Sequence, residues 1–556
     1  MPLTPYTGPF GEAELKHLLR RTLFGCSLED LAHFNGLSLA QVVDELLTFT
    51  NDTIPPLKTY WGLSGNTPDP SLIDPEIPFG TTWVDTPRNA TNQQQLAELS
   101  SERLQSFMWW RTGLLVHQQR NLREKMTLFW YNHMPTEAFQ VFNPRLSWEY
   151  DQLLRDRCTG NFRELMYEVS VSGAMLTYLN GYLNTAVAPD ENYARELMEL
   201  FTLGEGVGYT EADIQAAARV LTGWTVREQD LQEIPILPIT VFRPLQHDGT
   251  DKQFSAFFNN TVITGQSGPA AGEIELNALL DMIFLKEEVS LHVCRELYRF
   301  FVHGEIDAAT EADVIEPLAQ IFRDNAAAPD QMRTVMQALL TSEHFFSEDV
   351  RACMIMAPVD LIVGALRKLR MPMPTATQLE AQYRIWRDVY FLTAYCGQSL
   401  LDPPTVAGWP AYHQFPAYDD LWMDSALYPA RNFSMQGILY TGFSTPANLY
   451  QPESQNLEFK VDLLDLVAQF SAPYDPNALV SDAAELLLTV PVSAQVKAQL
   501  KTNYLLLGQQ NDSYWSDAYE IYVNDPNTTN MTAQLVPLIL IWLFLDLAGA
   551  AETQLH

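Results

Sequence analysis

Lysine is scarce in this chain, nine residues against twenty-five arginines, and acidic residues outnumber basic ones by 68 to 34. The net charge of −34 repels phosphate backbones and anionic lipid headgroups, which argues against a nucleic-acid or membrane-surface role. Cysteine is rare too. Cys26, Cys158, Cys294, Cys353 and Cys396 are far apart, odd in number and include no Cys-x-x-Cys pair. Zinc-knuckle and dithiol chemistry therefore lack their signatures, and free buried thiols are expected. Long hydrophobic runs are missing. Leu535 to Leu545, interrupted by Pro537, is too short to span a bilayer and reads as a buried helix. The N-terminal stretch Met1-Pro-Leu-Thr-Pro-Tyr-Thr-Gly8 has no cationic segment followed by an apolar one, so no signal peptide is visible and a cytoplasmic protein is the default expectation. There is no Gly-x-Ser-x-Gly, no His-Glu-x-x-His and no phosphate-binding loop, the usual marks of serine hydrolases, zincins and nucleotide hydrolases.

What is present is apolar material, 47% of 556 residues, enough for a sizeable core. Ser27-Leu-Glu-Asp30 and Ser38-Leu-Ala-Gln41 have helix-capping spacing, and Leu39, Val42, Val43, Leu46 and Leu47 share a helical face. Residues 54–91 hold seven prolines and read as a long ordered arm, because Trp61, Phe79 and Trp83 need burial. Residues 95–135, 145–225 and 272–397 carry helical patterns, and helices resume after a Pro/Gly-rich loop from Asp402 to Pro416. Between 234 and 265 the runs Ile239-Thr-Val-Phe242 and Phe254 to Ile263, with Asn259-Asn260 as a turn, predict a small β-hairpin insertion. Seven Asn-x-Ser/Thr sequons, the first at Asn51, matter only in a host that glycosylates them. The expectation is one mainly α-helical domain over residues 1–556.

Four stretches concentrate polar residues. In His17-Leu-Leu-Arg-Arg21, the histidine shares a helical face with Arg20 and Arg21 and forms either a cationic corner or a paired surface. In Phe129-Trp-Tyr-Asn-His133, the histidine ends an aromatic helix. Glu191, Arg195 and Glu199 step along one helix at intervals of four, with Glu196 beside them. They form either an ion-paired face or a carboxylate site, and Glu196-x-x-Glu199 lacks the histidine of a di-iron bundle. His247-Asp-Gly-Thr-Asp-Lys252 places histidine, aspartate and lysine on one turn. Gly204-x-Gly206-x-Gly208 follows a helix, not a strand, and reads as a helix end.

Together with Gly160-Asn-Phe-Arg163, Ala174-Met-Leu…Tyr178, Ala217-Ala-Arg-Val-Leu-Thr-Gly-Trp224, Pro358-Val-Asp-Leu361 and Gly397-Gln…Pro403-Pro-Thr-Val-Ala-Gly-Trp-Pro410, these motifs make the chain resemble the bacterial DUF1800 family from about residue 10 to 550. Family members commonly read Trp-His-Asn-His where this chain has Trp130-Tyr-Asn-His133, and often Pro-Asn-Glu-Asn-Tyr where it has Asp190. If the family held a metal through both histidines, Tyr131 has removed a ligand, so no metal residue is assigned and no cofactor follows from the motifs. The resemblance also implies a possible partner of the DUF1501 family, encoded nearby and similar to sulfatases and alkaline phosphatases.

The leading expectation is that the polar motif residues line one central cleft. His133 and Glu196, and His247 with Asp248, are the acid–base candidates. His17, Arg20, Arg195, Lys252 and Tyr131 would hold a polar or anionic substrate group, and Trp130, Trp224 and Trp409 would wall the cleft. Hydrolysis or elimination on a polar, carbohydrate-like substrate would follow. The alternatives are a non-catalytic assembly subunit held together by an ion-pair network, and a metal site of His133, Glu191 or Glu196, and His247.

Overall fold

Helices begin where the sequence places their caps. Ser27 Oγ accepts from the Asp30 amide at the head of Leu28–Phe34, and Ser38 Oγ accepts from the Gln41 amide at the head of Leu39–Leu46. The computed structural model describes residues 2–50 and 53–556, so the sequon at Asn51 lies outside the described residues. The molecule is mainly helical, and its only β-structure among these residues is four two-stranded antiparallel pairs and isolated bridges. Helix Gln93–Val116 packs along Leu379–Tyr395, and both meet Pro358–Lys368. The C-terminal helix Val536–Ala548 buries Ile539, Leu540, Leu543 and Phe544. No described helix is long and apolar enough to cross a membrane. All five cysteines are free thiols.

The proline-rich segment is ordered by polar clamps. Lys58 Nζ donates to the carbonyls of Pro70, Ile73, Asp74 and Ile77 at 2.7–2.9 Å. Arg103 grips both oxygens of Asp74 at 2.8 Å. Trp83 is fully buried and donates to Ser106 Oγ, which is the burial its indole requires.

The hairpin differs from the expected 234–265 insertion. Pro235–Phe242 pairs backwards with Trp224–Gln229, in the register Trp224↔Phe242 and Val226↔Thr240. The second run forms its own two-residue pair, Lys252–Gln253 with Val262–Ile263. Trp224-Thr-Val-Arg-Glu-Gln229 follows a helical motif without a proline or glycine-rich turn inside it, so its strand character is legible only through its partner. Asn259 and Asn260 both adopt left-handed backbone in the second turn.

Candidate active site

Three of the motifs meet at the end of helix Arg123–His133. The Tyr131 phenol donates to the carbonyls of Thr136 and Leu401 at 2.8 and 3.2 Å. The Ala138 amide donates to Leu401 O at 3.0 Å, and Asn132 Oδ1 accepts from the Trp409 amide at 2.9 Å. Gly408 makes this contact possible. Its φ is +86°, and a Cβ there would lie 2.3 Å from Asn132 Oδ1. Tyr131 and Asn132 thus dock the loop carrying Asp402.

Glu137, Glu196 and Asp402, all half-buried, gather around the Tyr178 phenol. The Tyr178 hydroxyl donates to Glu137 Oε1 at 2.9 Å. Burial, the Glu137 bond, and the fields of Glu196 and Asp402 raise the Tyr178 phenol far above its usual range, so it stays a donor. Burial and the neighbouring Glu137 raise the Asp402 carboxyl, against the pull of the Phe139 amide. Glu196 has no hydrogen-bond partner among the described residues. Burial and Glu199 push its carboxyl up to about 7, with Arg195 opposing. A carboxyl poised there can give or take a proton near neutral pH.

Glu196 opens onto an irregular helix. Asn192–Glu196 continues into a π-helical turn, Leu197–Thr202, a feature frequent at functional sites. The carbonyls of Leu200 and Phe201 are taken by two histidines, His292 Nε2 at 2.7 Å and His133 Nε2 at 3.0 Å. A carbonyl only accepts, so each Nε2 carries a proton. Burial, with His292 beside it, draws His133 down to about 4, so its ring is neutral at ordinary pH.

The other expected residues fall in separate neighbourhoods. His247, Asp248 and Lys252 do meet, around the fully buried Glu275. Glu275 Oε1 accepts from His247 Nε2 at 3.0 Å and from the Gln266 amide at 2.6 Å, and its Oε2 binds Lys252 Nζ. His247 Nδ1 faces the Thr222 carbonyl at 2.9 Å, and Lys252 also reaches Asp248 O. Burial alone would raise Asp248, but Arg219 and Thr250 hold its carboxyl well below the usual range. Arg195 is committed to Glu191, Glu199 and Glu211 at 3.2, 3.3 and 2.5 Å. His17 Nε2 donates to Phe345 O at 2.8 Å, and His17 and Arg20 line a cavity of about 780 Å³ to which none of His133, Glu196 or His247 contributes. Trp130 and Trp409 are buried to 0% and 1% exposure, so neither offers a free ring face to a ligand. Trp224 is half-buried against Phe242, with ring centroids 5.2 Å apart.

Among the described residues no three His, Cys, Asp or Glu side chains are arranged to hold a metal ion. His247 has both ring nitrogens engaged by protein oxygens, so the trio His133, Glu191 or Glu196, and His247 does not assemble as a ligand set.

Glu137 and His292 carry no motif signal in the sequence. Glu137 lies just past Pro135, and His292 sits on an ordinary amphipathic helix, Glu287–Phe301. Tyr178 and Asp402 stand inside motif segments, and only the docked loop reveals their role.

No curated protein and no solved structure matches the chain. The family model described as "Protein of unknown function (DUF1800)" matches residues 17–530. With nearly the whole length covered, the chain belongs to the DUF1800 family.

Proposed function

We propose that the chain is an acid–base enzyme acting by hydrolysis or elimination on a polar substrate of the carbohydrate class, with Glu196 as its central proton carrier. The observation that carries this reading is a half-buried carboxyl with no hydrogen-bond partner, raised to about 7, which shares the Tyr178 phenol as neighbour with a second raised carboxyl, Asp402. In hydrolysis, protonated Glu196 gives its proton to the departing oxygen, and Asp402 or Glu137 takes one from the attacking water. In elimination, a carboxylate of the cluster removes a carbon-bound proton and Glu196 protonates the leaving group. His133, at the end of helix Arg123–His133, acts as a positioning residue for the π-helical turn through the Phe201 carbonyl.

The test is turnover of 4-nitrophenyl glycosides, for hydrolysis, and of uronate-containing polysaccharides, for elimination, by wild type, Glu196→Gln and Asp402→Asn. Loss of at least about 100-fold in turnover with Glu196→Gln is expected. Full turnover by Glu196→Gln overturns the assignment, and failure of both probe classes removes the carbohydrate reading.

A second reading, an assembly subunit working with a DUF1501-type partner, is favoured by one surface. Phe391, Tyr395, Phe433 and Tyr440 are 56–66% exposed on neighbouring helices, and the Tyr395 and Phe433 rings touch. Exposed aromatic groups of this kind suit a protein partner. Co-purification with such a partner, lost on Tyr395→Ser with Phe433→Ser, is the expected result under that reading.

A further inference from the structure

The aromatic residues that the proline-rich arm needs to bury end differently. Trp83 is fully buried, and Phe79 packs on Tyr450 with ring centroids 4.8 Å apart. Trp61 is only half-buried. Its indole N–H donates to Glu380, and its ring packs against no other aromatic ring among the described residues. Trp109, on helix Gln93–Val116, is in the same state, half-buried and without an aromatic partner. Both indoles line one cavity of about 160 Å³, between that helix, helix Leu379–Tyr395 and the arm. Two indoles left partly open on one cavity are an unused contact surface.

The charges on the same cavity are also incomplete. Arg384, half-buried on its wall, has no hydrogen bond and no ion pair among the described residues. Arg387, one turn further along the helix, is held by Asp388 at 2.6 Å. Glu102 is half-buried on the wall and likewise has neither a donor nor a cation. Arg384 and Glu102 border the same cavity and do not pair with each other. Glu380, the other carboxylate there, is 5% exposed and accepts from the Trp61 indole and from the amides of Tyr450 and Gln451 at 3.3 and 2.7 Å. Burial, with Glu98 nearby, raises the Glu102 carboxyl. Burial, with Arg387 nearby, lowers Arg384 against the pull of Asp388 and Glu380. Each shift has the direction of a charge that lacks its counter-charge.

One cavity thus holds an unpaired carboxylate, an unpaired guanidinium and two open indole rings. A ligand that complements all of them carries a cation and a carboxylate close together. The chemistry of the wall selects the kind of cation. A primary ammonium has three N–H groups to satisfy, whereas Glu380 is already engaged and the Tyr60 hydroxyl, on the same wall, is given to Asp74 at 2.7 Å. A quaternary ammonium has no N–H to satisfy and is held by aromatic faces and a carboxylate. None of Glu137, Tyr178, Glu196 and Asp402 lines this cavity, so the site stands apart from the proton-transfer cluster and does not rest on its assignment.

We propose that this cavity binds a small zwitterion, a quaternary ammonium carboxylate of the betaine class, with its cation against the Trp61 and Trp109 rings and Glu102, and its carboxylate on Arg384.

The experiment is titration calorimetry of the full chain with glycine betaine. Three further probes run in parallel: choline, which lacks the carboxylate, acetate, which lacks the cation, and glycine, which lacks the methyl groups. Saturable betaine binding is expected, at least about tenfold tighter than that of any of the three. Arg384→Gln should lower the betaine affinity to about that of choline. Glu102→Gln and Trp109→Leu should each weaken betaine by about threefold to tenfold. Glu102→Gln keeps the shape of the side chain, so it decides the question if Trp109→Leu does not fold. No saturable betaine binding at millimolar concentration overturns the proposal. So does unchanged betaine binding in Arg384→Gln, or in both Glu102→Gln and Trp109→Leu. Glycine binding as tightly as betaine overturns the quaternary ammonium and makes the site one for an ordinary amino-acid zwitterion.

Discussion

The carboxylate of Glu275 takes three donors at zero exposure, whereas Glu196, drawn from the same residue type and also flanked by cations and carboxylates, stands half-buried with no partner. The first cluster lies where a turn, His247 to Lys252, folds over helix Ala271–Phe284 and seals it. The second lies on a helix whose regular ladder is interrupted by a π turn, and nothing folds over it to give the Glu196 carboxyl a partner among the described residues. Closure therefore converts charged residues into structure, and lack of closure leaves them available for chemistry.

The sharpest way to break that comparison is Glu275→Gln. It preserves shape but leaves the Lys252 ammonium buried without its counter-charge, so a loss of about 3–5 kcal/mol of stability is expected in urea unfolding. Glu196→Gln should change stability by no more than about 1 kcal/mol under the same conditions. Equal losses in the two variants would mean that the Glu196 cluster is structural after all.

The next effect concerns the loop that builds the open cluster. Tyr131→Phe removes the phenol from two carbonyls inside the core, which leaves Thr136 O without its donor while Leu401 O keeps the Ala138 amide. The expected cost is about 1–3 kcal/mol, accompanied by faster amide exchange at residues 398–410. A destabilised variant with unchanged exchange in that loop would show that Tyr131 supports its own helix only.

How much of this was legible in the sequence follows from the range of the interactions. Ser27, Ser38 and the stripe Val42, Val43 and Leu46 act within one or two helical turns, so their capping and burial can be read directly. Trp224–Gln229 could not be placed as a strand, because its partner lies beyond a turn and its pattern alone suits either state. Glu196 stood out by its spacing, but Asp402 comes to the same tyrosine, Tyr178, from far along the chain, through a docking contact that turns on Gly408.

The smallest effect distinguishes the two glutamates by sign. Glu196 has a folded-state pKa of about 7 against the ordinary 4.5, so between these values the folded chain holds more protons than the unfolded one. Its contribution to stability is complete below about pH 4.5 and is lost as pH rises through about 7. Glu275 is shifted the other way. Burial alone would raise it, but His247 and Lys252 reverse the shift, and its contribution is present at neutral pH and lost only as pH falls below the ordinary carboxylate range. Because a chain of net charge −34 responds to pH as a whole, the informative quantity is wild type minus variant, measured by thermal unfolding from pH 4.5 to pH 8. Relative to wild type, Glu196→Gln should gain on the order of 1 kcal/mol across that range, after allowance for solvent screening of a half-exposed group. Glu275→Gln should show no gain toward alkaline pH. Parallel curves for wild type and Glu196→Gln would return Glu196 to an ordinary surface carboxylate and, with it, remove the physical basis for its role as proton carrier.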